Sequence, residues 1–178
     1  GFSEAYFLSY LNKWFVYPWR IIEHCQFEDE QGYTPTADFI LINDDLKLAV
    51  DLEIDEPYSF KESLPIHVVE DPKYIYRDKF FLKLGYIVIR FAEYQIAKHP
   101  DYCCFHIARV LNQFMDQDTK IALPNSINIE PLTPQEWKVK TWTQRESQIM
   151  ADNHIRDTYL ESVKAFNLNQ NRISHYFG

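Results

Sequence analysis

From Leu46 to Asp55 the chain alternates strictly. Leu46, Leu48, Val50, Leu52 and Ile54 fall on one side, and Lys47, Ala49, Asp51, Glu53 and Asp55 on the other. A period of two predicts a strand with one apolar and one polar face. Thr36 to Ile42 and Ile21 to Phe27 also read as strands, separated by a turn at Gln31-Gly32-Tyr33-Thr34-Pro35. Asn43-Asp44-Asp45 reads as a hairpin turn, and Tyr86 to Phe91, apolar except for Arg90, as a buried central strand. Helical spacing appears elsewhere. Ser3 is a candidate N-cap for a helix to about Phe15, with Leu8, Leu11 and Phe15 on its stripe and Glu4 on the same stripe. A second helix runs from about Tyr74 to Leu84 and stops at Gly85, with Arg77, Phe80, Phe81 and Leu84 on the stripe that faces the sheet. Pro100 opens a third, with Cys104, Ile107, Ala108, Leu111, Phe114 and Met115 on one face. Thr133-Pro134-Gln135-Glu136 and Thr143-Gln144-Arg145-Glu146 are capping boxes, the latter before a helix through about Phe166. The order is helix, three-strand meander, helix, strand, then helices. This predicts an α/β fold with a mixed sheet of four or more strands and helices on both sides.

A chain of 178 residues suits one domain with an extension. The pattern divides it into a core at 1–118 and a helical extension at 119–178. Only 4 glycines are present, and neither G-x-x-x-x-G-K-[ST] nor G-x-G-x-x-G occurs, which excludes P-loop and Rossmann chemistry. No apolar run approaches a membrane span, so no membrane partner is expected. Cys25, Cys103 and Cys104 form neither a disulfide framework nor a C-x-x-C pattern, as expected of reduced thiols in a cytoplasmic protein. The net charge of −8 is uneven: residues 1–60 carry twelve carboxylates and three bases, whereas the remainder is nearly balanced. An acidic chain argues against a non-specific nucleic-acid coat protein but leaves room for a local basic surface.

The excess carboxylate is concentrated on the polar face of the third strand. Asp51, Glu53 and Asp55 share that face within about 14 Å of strand. A two-residue hairpin loop would pair Asn43 with Leu46 and place Asp38 opposite Asp51. Like charges facing one another destabilise a sheet. Either the face is solvated, or it holds a divalent cation such as Mg²⁺ or Mn²⁺ on hard oxygen ligands.

Asp38, Asp51-Leu52-Glu53-Ile54-Asp55 and a preceding helix carrying Glu4 resemble the PD-(D/E)XK nuclease superfamily. Arg77-Asp78, followed by Gly85-Tyr86-Ile87-Val88-Ile89-Arg90-Phe91, is similar to the very-short-patch-repair branch, whose pattern is E-x-D and then R-D…G-[YW]-x-V-[IL]-R-F. The likeness covers residues 3–96. It implies a restriction-endonuclease-like core and a Mg²⁺- or Mn²⁺-dependent endonuclease hydrolysing DNA. Asp38 and Glu53 would be the metal ligands, and Glu4 would orient the metal-bound water or a second ion. Asp55 occupies the superfamily's lysine position, as in the very-short-patch-repair branch, and Arg77 is the candidate substitute cation. His67 would be an acid–base group or a phosphate donor.

Several readings of these residues stay open. Arg77 either holds a phosphate or forms a structural ion pair with Asp55 or another carboxylate. Arg90 contacts DNA phosphate or pairs with an acid, and Lys79 and Lys83 form a backbone-contacting face or an ordinary solvated one. For the whole chain, the alternatives to a nuclease are a catalytically weak nucleic-acid-binding or assembly module on the same fold, and a non-nuclease acidic protein.

Overall fold

A computed structural model describes residues 2–124 and 141–177, with side chains through residue 169. Helix α1 spans Glu4–Trp14, and strands β1 (Arg20–Gln26), β2 (Thr36–Asn43) and β3 (Leu48–Asp55) follow. Helix α2 (Pro72–Lys83) leads to β4 (Ile87–Ala92), α3 (Glu93–Lys98) and α4 (Pro100–Leu111). After the undescribed segment come α5 (Gln144–Asp152), a 3-10 turn at Ile155–Thr158 and α6 (Glu161–Phe177). The four strands form one mixed sheet in the order β1-β2-β3-β4. β1, β2 and β3 are antiparallel neighbours, and β4 runs parallel to β3. Parallel neighbours need a crossover of a dozen or more residues, and α2 lies in that connection. The protein is therefore α/β, as the alternation predicts.

The sheet is covered on both sides. Phe39, Leu41, Val50, Leu52, Ile54, Ile89 and Phe91 pack against α1, α4 and the start of α6 in the main core. Ile40, Ala37 and Phe81 of α2 form a smaller core on the other side. Tyr159, Leu160 and Val163 belong to the main core, so residues 155–163 pack onto residues 1–118 rather than projecting from them.

Several local expectations are corrected. The loop between β2 and β3 has four residues, Asp44–Lys47, not two. Asn43 Oδ1 accepts the Leu46 N–H at 3.1 Å and Lys47 turns at a φ of 54°. Ile40, not Asp38, therefore sits opposite Asp51. The slip is of two residues, so every side chain keeps its expected face. Ser3 makes no cap; its hydroxyl donates to Glu93 Oε1 at 2.7 Å. Phe114 and Leu84 are exposed rather than on the core stripes. Helix α3 was not anticipated, and the helix after Thr143 breaks at left-handed His154 instead of running to Phe166. The Thr143–Glu146 capping box forms as read. The Thr133–Glu136 box lies outside the described residues.

Candidate functional site

The site begins where β2 and β3 part. Their pairing runs from Asn43 with Leu48 to Phe39 with Leu52. Beyond that point β2 stays with β1, through Cys25 with Ala37 and Gln26 with Thr36. β3 stays with β4, through Glu53 with Arg90 and Asp55 with Ala92. The split frees backbone donors that need partners. Two carboxylates supply them crosswise. Glu53 Oε1 accepts the Asp38 N–H at 3.0 Å, and Asp38 Oδ2 accepts the Ile54 N–H at 2.8 Å. Because an Asp carboxylate lies within about 4 Å of its own nitrogen, the two carboxylates approach to under ~7 Å. One ion at ~2.1 Å per bond spans at most ~4.2 Å between two oxygens, so sharing one would draw the two carboxylates together within that bound.

Arg77 of α2 fills the same fork. Its Nε donates to the Thr36 carbonyl of β2 at 2.7 Å. Its two terminal nitrogens clasp Asp51 at 2.8 and 2.6 Å, and one of them also donates to Glu53 Oε1. The guanidinium is buried and lies 4.6 Å over the Phe81 ring. Fully buried Asp51 requires such a partner, since an unpaired buried charge is prohibitively costly. The expected Arg77–Asp55 pair is not formed. Asp55 is instead held by two nitrogens of Arg90, whose third nitrogen donates to Asp78 at 2.8 Å. Arg90 is thus committed to acids rather than presented to a phosphate.

Carboxylates crowd the fork. Arg77 is shared by Asp51 and Glu53, and Asp38 and Glu4 add further carboxylates. Burial, assisted by the Glu4 charge, pushes Asp38 up to about 6. Burial and the neighbouring Asp38 hold Glu53 well above the usual carboxylate range. Glu56, just beyond the strand, rises to about 7 through burial and Glu93. Buried Glu4 lies close enough to influence Asp38, and its Oε2 is 3.2 Å from His24 Nε2.

His67 adopts a left-handed φ of 51° and accepts the Glu56 N–H at Nδ1, 2.8 Å away. In the neutral ring the proton therefore sits on Nε2. Burial lowers its pKa, so it is neutral near pH 7. It lines a cavity of about 430 Å³ with Asp55, Tyr74, Asp78 and Arg90. Lys79 and Lys83 lie elsewhere, in a separate groove of about 670 Å³ whose other wall is Glu28, Asp29 and Glu30. That groove mixes both charges and is no continuous basic face.

The donor set suits a hard divalent cation. Mg²⁺ is commonly held by one or two carboxylates, with water and substrate phosphate completing its shell. Asp38 and Glu53 provide two carboxylates whose proton affinity is raised chiefly by burial, and further by a neighbouring carboxylate. Among the described residues no group of three or more His, Cys, Asp or Glu side chains is arranged to hold a metal ion, so any ion here would rest on two protein carboxylates. Nor is any helix among the described residues long and apolar enough to cross a membrane. His24 and the second arginine centre at Arg156, described below, had no sequence signature. No family model matches the sequence, and comparison with curated proteins and with solved structures returns no match.

Proposed function

We propose that the protein is a metal-dependent endonuclease with a restriction-endonuclease-like core of the PD-(D/E)XK kind, hydrolysing DNA phosphodiester bonds. The observation that carries this reading is the crossed Asp38–Glu53 pair at the fork, with Arg77 on Glu53. The element order from α1 to β4 agrees with it. Asp38 and Glu53 would hold a Mg²⁺ or Mn²⁺ ion, which supplies charge neutralisation and a more acidic bound water. The chain's own residues do the rest. Arg77 fixes Glu53 from behind, so the carboxylate needs little reorganisation. Arg90 holds Asp55 in place. His67, neutral with its proton on Nε2, is a donor for a phosphate or leaving oxygen.

One feature favours the second reading, a catalytically weak nucleic-acid-binding or assembly module. Both arginines near the fork are tied to carboxylates, and Asp55 stands where the superfamily has lysine. The deciding experiment is plasmid cleavage with Mg²⁺ or Mn²⁺, using Glu53→Ala as control. Cleavage by the wild type alone supports the nuclease. Binding without cleavage supports the module, and neither would remove both readings.

A further inference from the structure

One side of α2 and the segment after β1 wall a groove of about 670 Å³. Phe27 and Phe80 line it, their rings edge to face at 6.1 Å, and the exposed Tyr76 and Leu84 add apolar surface. Lys79 and Lys83 lie on one wall, and Glu28 and Glu30 on the other. All four charged side chains are exposed, and among the described residues none of them makes an ion pair or a hydrogen bond. Asp29, between the two glutamates, differs. Its carboxylate accepts the Tyr76 O–H and the backbone N–H groups of Gln31 and Tyr33, which ties the acidic wall to α2. The two charged pairs match in spacing. Lys79 and Lys83 are about 6 Å apart along their helix, and Glu28 and Glu30 span at most ~7 Å of chain.

A nucleic-acid backbone carries one sign of charge, and the acidic wall would repel it. The groove suits a partner that presents both signs, and a second copy of this chain presents them at the same spacing. We propose that the groove is a self-association surface, in which a two-fold axis lying along it sets Lys79 and Lys83 of each copy against Glu28 and Glu30 of the other. A two-fold contact makes every pairing twice, which is why one surface must carry both signs. The apolar lining supplies affinity, and the charges fix the orientation. The inner side of α2 carries Arg77, so this surface and the fork are built on one helix. The proposal does not depend on the nuclease reading.

Sedimentation equilibrium of the full chain across micromolar concentrations tests it. The wild type should be a monomer–dimer equilibrium, weakened by added salt. Glu28→Lys with Glu30→Lys replaces the acidic wall by a basic one, and Lys79→Glu with Lys83→Glu does the reverse. Each variant alone should associate about 100-fold more weakly or worse, because like charges then face one another. Mixed in equal amounts, the two variants should dimerise again, since every facing pair is then opposite in sign. All four side chains are exposed, so both variants should keep the wild-type melting temperature. A monomeric wild type, a dimer that survives in either variant alone, or a mixture that stays monomeric overturns the proposal. A monomeric wild type whose duplex-DNA affinity falls in Lys79→Glu with Lys83→Glu assigns the basic wall to nucleic acid instead. Growth beyond a dimer shows a head-to-tail contact and overturns the two-fold arrangement. The readout is mass rather than cleavage, so the two readings stand or fall separately.

Discussion

Arg77 and Arg156 are both buried, and each grips a carboxylate through two guanidinium nitrogens and donates to a backbone carbonyl. Arg156 holds Glu93 at 2.7 and 2.6 Å and the Tyr58 carbonyl at 2.7 Å. Glu93 also accepts from Tyr159 at 2.9 Å and from Ser3 at 2.7 Å. There, one cation meets one fully buried carboxylate whose oxygens are saturated with donors. Glu56 makes a second, longer ion pair with Arg156 at 3.6 Å. The centre joins the start of α1, the segment after β3, helix α3 and the C-terminal 3-10 turn, and serves as a clasp. Around Arg77 one cation faces two carboxylates, with Asp38 and Glu4 close by. A carboxylate saturated with donors from several elements holds a fold together, whereas two carboxylates crossed over one opening in the sheet are suited to recruiting a cation.

The largest expected effect is on activity at the fork. Glu53→Ala, and separately Asp38→Ala, should reduce metal-dependent cleavage by roughly 10³-fold or more, as loss of a principal transition-state contact does. The same variants should unfold at modestly lower urea concentrations, because each strips a backbone N–H of its acceptor, a cost of about 1–3 kcal/mol that relief of repulsion only partly offsets. Equal cleavage by either variant would erase the contrast.

The Arg156 clasp should respond in stability rather than in activity. Arg156→Ala leaves Glu93 buried without its cation, a cost of about 3–5 kcal/mol, and should lower the urea midpoint sharply. A loss under ~1 kcal/mol would show that the clasp is not structural. Arg77→Lys should be intermediate. A single ammonium cannot reach Thr36, Asp51 and Glu53 together, so about 2–3 kcal/mol should be lost.

The smallest effect is a pH dependence. A carboxyl whose folded pKa is raised binds more protons in the folded state than in the unfolded one. Stability therefore falls as pH rises from the ordinary carboxylate range through the folded value. For Asp38 that window runs from about 4 to about 6. Asp38→Asn keeps an acceptor for the Ile54 N–H and removes the charge. In chelator-treated protein it should raise stability by about 1–2 kcal/mol at pH 7.5 and leave it nearly unchanged at pH 4. Equal effects at the two pH values would mean that burial does not penalise the Asp38 charge.

Much of this contrast was legible in the chain. Alternation placed Asp38, Asp51, Glu53 and Asp55 on one face, and that survived a register slip because the slip was of two residues. The slip itself was not legible, since Asn43-Asp44-Asp45 offers several turn starts and the choice depends on one Asn43 side-chain hydrogen bond. The stripe correctly turned Arg77 toward the sheet. It could not say whether Asp51 or Asp55 would be its partner, because that depends on where Arg90 reaches from β4. Glu93 and Arg156 lie 63 residues apart and on elements with no shared pattern. His24 turns left-handed inside β1, a backbone angle that no periodicity encodes.

The cation site at the fork is tested most directly by titrating chelator-treated protein with Mn²⁺ at pH 7.5 in a calorimeter, beside Asp38→Asn and Glu53→Gln. The expected result is one ion per chain, weakened as pH falls through about 6 because protons compete for Asp38, and lost in both variants. No binding by the wild type, or equal binding by all three proteins, would contradict a cation site at Asp38 and Glu53.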